Sequence, residues 1–269
     1  MAEKRNTSGS IPLARVGGIA VRMHWTFLVL VLVVVWATMG AGAAAVVTSL
    51  VWIVAIFASV LIHEYAHCVV ARRRGAVVVD ILLLPIGGLS RLEKVPERPD
   101  DELAIAVVGP LTSLGLAAVA MVGGLLVGAH MWPPTLFAGS WFARLAWLNI
   151  LLGAFNLLPA LPMDGGRVLR AALERREDRA TATHQAGTIA RVLATVMIVG
   201  GLFYDFWLVL IGIFVYLGAT AEEQAAMMER DTSAGRGRPG PHPPPTSDRD
   251  RSRTPRPPAS PRATHLSDR

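Results

Sequence analysis

Two histidines and a glutamate with the spacing of a metal-binding helix lie inside a long apolar run. His63, Glu64 and His67 form the pattern HExxH, in which the histidines are four residues apart. On a helix this spacing places both imidazoles on one face, close enough to bind one metal ion. Glu64 lies about 100° further round the helix than His63. It is therefore placed beside the metal, where a carboxylate can act as general base on a water that the metal activates.

The chain that carries this pattern has the composition of an integral membrane protein. Of its 269 residues 52% are hydrophobic and 17% are charged, whereas about a quarter of the residues in a soluble domain are charged. The single cysteine, Cys68, excludes an internal disulfide and a cysteine-rich zinc site. The net charge of +6 does not indicate nucleic acid as a partner, because most of the excess lies in nine arginines after residue 229.

Apolar runs predict an all-α polytopic membrane protein with about six transmembrane helices. The runs cover approximately residues 24–40, 46–71, 102–128, 136–158, 187–203 and 206–221. Between the second and third runs, a β-branched stretch is interrupted by Pro85-Ile86-Gly87-Gly88. This pattern predicts a β-hairpin over residues 76–95 that lies near the membrane surface.

Three regions follow from these runs. Residues 1–22 are a polar N-terminal arm, which the sequence places on the cytoplasmic side. Residues 23–222 are the membrane domain, with residues 75–100 as its hairpin segment and a charged connector from Arg167 to about His184. Residues 223–269 form a Pro/Arg-rich tail that is expected to be disordered, because it has almost no large apolar residues with which to build a core.

The distribution of positive charge predicts the orientation. With six spans, 25 of the 26 Lys and Arg residues lie on the face that carries both termini, and only Arg144 lies on the other face. The positive-inside rule then places both termini in the cytoplasm of a multi-pass protein of the cell membrane. His67 lies five residues before Arg72, and Asp164 lies three residues before Arg167. Both are thus expected at a similar shallow depth below the cytoplasmic surface.

Asp164 is the candidate for a third metal ligand. HExxH supplies two ligands, whereas a catalytic zinc site usually has three protein ligands and a further position for water. Asp164 matches His67 in depth, and it follows a stretch with Pro159 and Pro162 whose broken backbone can line a cavity. The other histidines are poor rivals, because they fall on the first span, the far face, the connector or the tail.

Small residues continue the row of the two histidines along the same helix face: Ala55, Ser59 and Ala71. This row is equally compatible with room for a substrate strand and with ordinary close packing of helices.

Taken together, these residues resemble the site-2 protease family of intramembrane zinc metalloproteases. The resemblance covers about residues 15–220 and rests on HExxH, Gly87-Gly88, Gly109-Pro110, Asn156-Leu157-Leu158-Pro159 and Met163-Asp164-Gly165. It implies one zinc ion per chain on His63, His67 and Asp164, with Glu64 as general base. It also implies that Asn156 helps to hold the substrate or the oxyanion, and that Gly87 and Gly88 lie in a hairpin that binds unwound substrate by strand addition.

The resemblance further implies regulated intramembrane proteolysis, with a transmembrane segment of a membrane-bound regulator, such as an anti-sigma factor, as substrate. Membrane lipids are the other expected partner. Met163 stands where the family usually has leucine, and a Pro/Arg tail stands where many relatives have CBS domains, so regulation by nucleotides is not expected. Two alternatives stay open: a membrane metal-binding or scaffold protein without proteolytic activity, and a membrane zinc protease of quality control.

Overall fold

The computed structural model describes residues 9–94 and 98–236, which form seven α-helices and four β-strands. The strands are β1 (Ser10–Val16), β2 (Ile19–His24), β3 (Val77–Leu84) and β4 (Gly87–Lys94). The helices are α1 (Thr26–Thr38), α2 (Ala43–Arg73), α3 (Pro99–Leu126), α4 (Trp141–Asn156), α5 (Asp164–Glu174), α6 (Arg179–Tyr204) and α7 (Phe206–Arg236). The chain divides into two units, residues 1–229 and 230–269. The helices and strands belong to the first unit, except that α7 runs on to Arg236.

Four of the helices, α2, α3, α6 and α7, are long and apolar enough to cross a membrane. The prediction of a mostly helical polytopic membrane protein is thus confirmed. The first and fourth predicted spans correspond to α1 and α4, which have only 13 and 16 residues. A spanning helix needs about 20 residues. These two helices are shortened by the glycines that follow α1 and by the proline-containing loops on either side of α4.

The predicted hairpin is present and belongs to a larger sheet. Strands β3 and β4 pair antiparallel, and the turn between them contains Pro85 and Ile86. Strand β2 pairs parallel with β3 and antiparallel with β1, so the order in the sheet is β1-β2-β3-β4. The prediction of a polar arm over residues 1–22 is wrong in part, because this region contains β1 and most of β2. The signal was the alternation of Ile19 and Val21, both buried, after the turn residues Gly17-Gly18.

The sheet packs on the end of α2 that carries HExxH. Ile19, Val21, Ile81 and Leu83 form one buried cluster with Cys68 of α2. Because Cys68 directly follows His67, this cluster fixes the sheet against the helical turn that bears the second histidine.

One predicted boundary is wrong, the start of the tail. The charged connector from Arg167 to about His184, for which no secondary structure was predicted, contains α5 and the beginning of α6. The tail was expected to begin at residue 223, but α7 continues to Arg236, and the buried Glu223 forms ion pairs with Arg191 and His184. Glu223 of α7 is neutralised by its partners on α6. The polar residues at the start of the predicted tail therefore belong to a packed helix and not to a linker. The remainder of the predicted tail, residues 237–269, lies outside the described residues.

Two glycines position the start of α5. A Cβ atom at Gly165 would collide with the carbonyl oxygens of Leu157 and Leu158, and a Cβ at Gly166 would collide with the backbone of Ala160. The loop after α4 can therefore fold directly against the first turn of α5. Asp164, the first residue of α5, is held at this point of close backbone contact.

Candidate active site

Three side chains that the sequence singled out converge in the interior. His63 Nε2 and His67 Nε2 are 3.2 Å apart, and Asp164 Oδ2 lies 3.1 Å from each of them. All three residues are buried. Their candidate ligand atoms all lie within 4.8 Å of one another, which marks them as a possible metal site. The two histidines are one turn apart on α2, whereas Asp164 reaches them from the N-terminus of α5.

The outward-facing nitrogens of both imidazoles have partners on α3. His67 Nδ1 lies 2.6 Å from the carbonyl oxygen of Ile105, and His63 Nδ1 lies 2.9 Å from Ser113 Oγ. A carbonyl can only accept, so Nδ1 of His67 carries the hydrogen and its Nε2 presents a lone pair in the neutral ring. Such contacts orient metal-binding histidines and fix their tautomer.

The three candidate ligands suit a zinc ion. The lone pair of His67 Nε2 faces the Asp164 carboxylate oxygen across 3.1 Å, and two groups that only accept need a cation between them. Two imidazoles and one carboxylate are a known set of catalytic zinc ligands. With bonds of about 2.0–2.1 Å in a tetrahedron, ligand atoms lie roughly 3.3 Å apart, close to the spacing of 3.1 and 3.2 Å found here.

A glycine of α3 makes this arrangement possible. A Cβ atom at Gly109 would lie 2.8 Å from His63 Nε2 and closer still to His67 Nε2. Helix α3 therefore lies so close to the two imidazoles that only glycine fits at position 109. The sequence showed Gly109-Pro110 as part of the family resemblance but gave it no role, because the contact joins residues far apart in the chain.

Glu64 lies on the adjacent side of α2 and contacts strand β4. Its Oε2 accepts a hydrogen bond of 2.5 Å from Ser90 Oγ. A Cβ atom at Gly88 would lie 2.5 Å from Glu64 Cγ and 3.2 Å from Val60 Cγ1, so the strand packs against the glutamate without any side chain between them. Sequence reasoning missed Ser90, whose only signal was a hydroxyl within the predicted hairpin.

All the predicted site residues line one cavity of ≈ 460 Å³. They are His63, Glu64, His67, Gly87, Gly88, Asn156 and Asp164. The rest of the lining is mainly apolar, with Leu152, Phe155 and Phe214 among its members. Asn156 Nδ2 donates to the carbonyl oxygen of Leu152 at 2.9 Å, so this amide nitrogen also completes the last turn of α4.

The cavity is bordered by a strand at the edge of the sheet. Strand β4 pairs with β3 on one side and is the last strand in the order of the sheet. Gly87, Gly88 and Ser90 of β4 lie in the cavity wall. An edge strand presents unpaired backbone donors and acceptors to which a further strand can bind.

The row of small residues on α2 serves helix packing. Ser59 is buried, and its Oγ accepts a hydrogen bond of 3.1 Å from Asn149 Nδ2 of α4. Ala71, at the C-terminal end of the row, packs with Ile105 of α3 in a buried cluster. At Ser59 and Ala71 these contacts favour the second of the two interpretations of the row, close helix packing.

A network of charges centred on the buried pair Glu102 and Arg170 lies behind Asp164. Arg167 Nη1 is 3.7 Å from Asp164 Oδ1, and its Nε is 3.9 Å from Glu102 Oε1. The Glu102 side chain is only 1% exposed, and it also pairs with Arg170 and with Arg179. The pKa of Arg170 is raised even though burial alone would lower it, because the carboxylates of Glu102 and Glu222 favour the charged guanidinium. The network joins the first turns of α3, α5 and α6 to α7.

The fold and the site together define a class of protein: a polytopic helical membrane protein with a buried site of two histidines and one aspartate that suits zinc. Residues 51–136 and 136–200 match Peptidase family M50. A zinc metalloprotease of Methanocaldococcus jannaschii is 35% identical over 224 residues, which are 82% of this chain and 62% of that protein. Rip3 of Mycobacterium tuberculosis is 38% identical over 232 residues, which are 80% of this chain and 58% of Rip3.

The solved structures include one with the same fold. The site-2 protease from Methanocaldococcus jannaschii superposes with a TM-score of 0.59 at 34% identity, and the match covers 80% of this chain and 95% of that one. The chain therefore belongs to peptidase family M50, the site-2 protease family of zinc metalloproteases. It spans about three fifths of the length of the two curated relatives given above.

Proposed function

We propose that this protein is an intramembrane zinc metalloendopeptidase that cleaves transmembrane segments of membrane-bound regulatory proteins. One observation carries the proposal: His63, His67 and Asp164 converge in the cavity that is also lined by Glu64 and by residues of the edge strand β4. A metal-binding or scaffold protein would need the three ligands, but not a carboxylate beside them or an edge strand in the cavity wall.

His63, His67 and Asp164 would hold one zinc ion. When bound, zinc acts as a Lewis acid that lowers the pKa of water and polarises a carbonyl group. The Ile105 carbonyl holds His67 in the tautomer that this requires, and Ser113 holds the orientation of the His63 imidazole.

Glu64 would be the general base. It would take a proton from the attacking water and return it to the amine that leaves when the peptide bond breaks. Its place next to His63 in the sequence and in the same cavity wall supports this assignment. Asn156, which lines the cavity beside Phe155, is proposed to hold the substrate backbone or the developing oxyanion through its amide group.

The substrate would enter as an extended strand along β4. A transmembrane helix has its backbone hydrogen bonds satisfied internally, so it must unwind before a protease can reach a peptide bond. Gly87 and Gly88 leave the strand without bulky side chains at this point, and within residues 9–94 and 98–236 no further strand pairs with the outer side of β4. The backbone of an unwound segment could pair there by strand addition. A membrane-bound regulator, such as an anti-sigma factor, is the proposed substrate class.

The site is proposed to face the cytoplasm. Only Arg144 of the 26 Lys and Arg residues falls on the opposite face if all six predicted spans cross. The positive-inside rule then assigns both termini to the cytoplasm. Arg167, which lies in the cavity wall, and Arg72, next to the HExxH turn, belong to the positive face.

Glu64→Gln tests the proposal directly. The amide keeps the size of the side chain but cannot accept a proton, so cleavage of a reporter membrane protein in proteoliposomes should stop. Zinc content, measured by elemental analysis, should persist. Continued cleavage by Glu64→Gln would overturn the catalytic assignment, and an inactive wild-type protein with bound zinc would favour a metal-binding or scaffold role. Glu177→Gln, an exposed glutamate far along the chain, is the matched control.

A further inference from the structure

The edge strand of the sheet is bound to the proposed general base through one hydroxyl group. Ser90 Oγ donates to Glu64 Oε2 across 2.5 Å, and the two residues come from β4 and α2. A hydroxyl carries a single hydrogen, so this hydrogen is committed to Glu64. A hydrogen bond to a carboxylate is roughly twice as strong as one between neutral groups.

Ser90 belongs to a face of β4 that follows α2. Side chains alternate between faces along a strand, so positions 88, 90 and 92 share one face. Gly88 packs on Glu64 and Val60, Ser90 binds Glu64, and Leu92 packs on the cluster that contains Ala71. Since this face runs along α2 beside the HExxH turn, the position of β4 is set relative to Glu64 at more than one point.

A second contact orients the Ser90 hydroxyl. Cys68 Sγ is 3.4 Å from Ser90 Oγ and can donate its weak S–H hydrogen to it. Cys68 is fully buried in the cluster between the sheet and α2. With Cys68 on one side as donor, the Ser90 hydrogen points towards the carboxylate, and the three side chains form a chain from Cys68 through Ser90 to Glu64.

We infer that Ser90 is a positioning residue for Glu64, which holds the carboxylate in place for proton transfer and links it to the strand that would bind substrate. The inference rests on the proposed function, because it assigns Ser90 a task only if Glu64 is the general base. A flexible glutamate would sample several rotamers in a cavity of this size. One fixed oxygen restricts the carboxylate to one orientation, which a general base requires within hydrogen-bond reach of its water.

The experiment compares Ser90→Ala, Ser90→Thr and the wild type in proteoliposomes with a reporter membrane substrate. We expect Ser90→Ala to lower kcat about 10- to 100-fold, the range for loss of a hydrogen bond to a charged group. KM, zinc content and Tm should change little, because alanine fits the strand and leaves the three ligands intact. Ser90→Thr keeps the hydroxyl and favours a strand, so it should restore most of the activity.

A double-mutant cycle separates action through Glu64 from any other effect. Glu64→Asp is one methylene shorter and withdraws the carboxylate from Ser90, so it should lose activity by itself. If Ser90 acts through Glu64, adding Ser90→Ala to Glu64→Asp should cause little further loss. Thr195→Ser and Thr195→Ala, which alter a hydroxyl that donates to the Arg191 carbonyl of its own helix, are the controls.

Each outcome decides the inference. Full activity of Ser90→Ala while Glu64→Gln is inactive would refute the role of Ser90 and leave the proposed function standing. Equal losses from Ser90→Ala in both backgrounds, or a loss that follows a drop in Tm or zinc, would also refute it. If Ser90→Ala does not accumulate in membranes, Ser90→Cys, with similar volume and a weaker donor, takes its place with the same expected loss. Activity of Glu64→Gln would instead refute the proposed function itself.

Discussion

Asp164 Oδ2 lies 3.1 Å from His67 Nε2, although the two residues are 97 positions apart in the sequence. The contact joins the C-terminal part of one long helix to the first residue of another. It depends on the loop after α4, which returns close enough to α5 that Gly165 and Gly166 touch its backbone. The carboxylate is therefore positioned by backbone packing, and its two oxygens face different partners: the histidines and Arg167.

Asp164→Asn should lower the affinity for zinc and abolish cleavage. The amide keeps the shape of the side chain but loses the negative charge, and zinc prefers an anionic carboxylate oxygen over a neutral amide. Zinc affinity is measured by competition with a chelator, with elemental analysis of the purified protein. Asp100→Asn, whose side chain is largely exposed and pairs with exposed Arg175, is the control and should keep wild-type affinity. Unchanged zinc affinity in Asp164→Asn would remove this residue from the ligand set.

Gly109→Ala should abolish zinc binding even though alanine is the better helix former. A methyl group at this position would meet Nε2 of both His63 and His67, so the imidazoles or α3 must move. Gly115→Ala is a matched control on the same helix, since a Cβ there meets nothing within 4 Å. The control should keep zinc and gain up to about 1 kcal/mol in stability from the higher helix propensity of alanine. Equal zinc contents of the two variants would show that Gly109 is not needed for the site.

The ligand pair on α2 and the helical membrane fold could be predicted because each rests on local periodicity. HExxH needs only the pitch of one helix, and apolar runs need only length. Asp164 as third ligand needed an argument from depth; the structure brings its carboxylate to 3.1 Å from both histidines, and its role as a ligand stays a proposal. Ser90 and Gly109 were out of reach as functional positions, because their roles arise from contacts between elements that the sequence does not pair.

The errors have physical causes of the same kind. The region expected to be a polar arm contains two strands, since Ile19 and Val21 are buried by a sheet whose other strands come some sixty residues later. The tail was placed too early because Glu223, a charged residue, has partners on α6 in Arg191 and His184. Charge within a sequence usually indicates exposure, but here opposite charges from distant helices meet in the interior.

Glu102→Gln should destabilise the protein. Glu102 is buried and pairs with Arg170 and Arg179, so loss of its charge leaves guanidinium groups without their main partner. Breaking a buried ion pair from one side costs about 3–5 kcal/mol. Thermal unfolding in detergent measures the effect as a lower Tm. Glu177→Gln, an exposed glutamate that accepts from Gln185, should leave Tm close to that of the wild type. Equal Tm values for the two variants would show that the Glu102 network does not stabilise the fold.

Truncation of the last helix should separate the part of the chain that the site needs from the part that it does not. Glu222 pairs with Arg170, and Glu223 pairs with Arg191 and His184, so both belong to the ion pairs that join α5, α6 and α7. A chain that stops after Arg236 retains every described residue, and its zinc content, Tm and cleavage rate should match those of the full chain.

A chain that stops at Ala221 loses both glutamates and leaves Arg170 and Arg191 short of partners in a low-dielectric region, so its Tm should fall. The double variant Glu222→Gln, Glu223→Gln in the full-length chain should reproduce much of that fall, which assigns the effect to the charges. A Tm at the wild-type value in the shorter truncation would show instead that the end of α7 contributes nothing to the packing around Asp164.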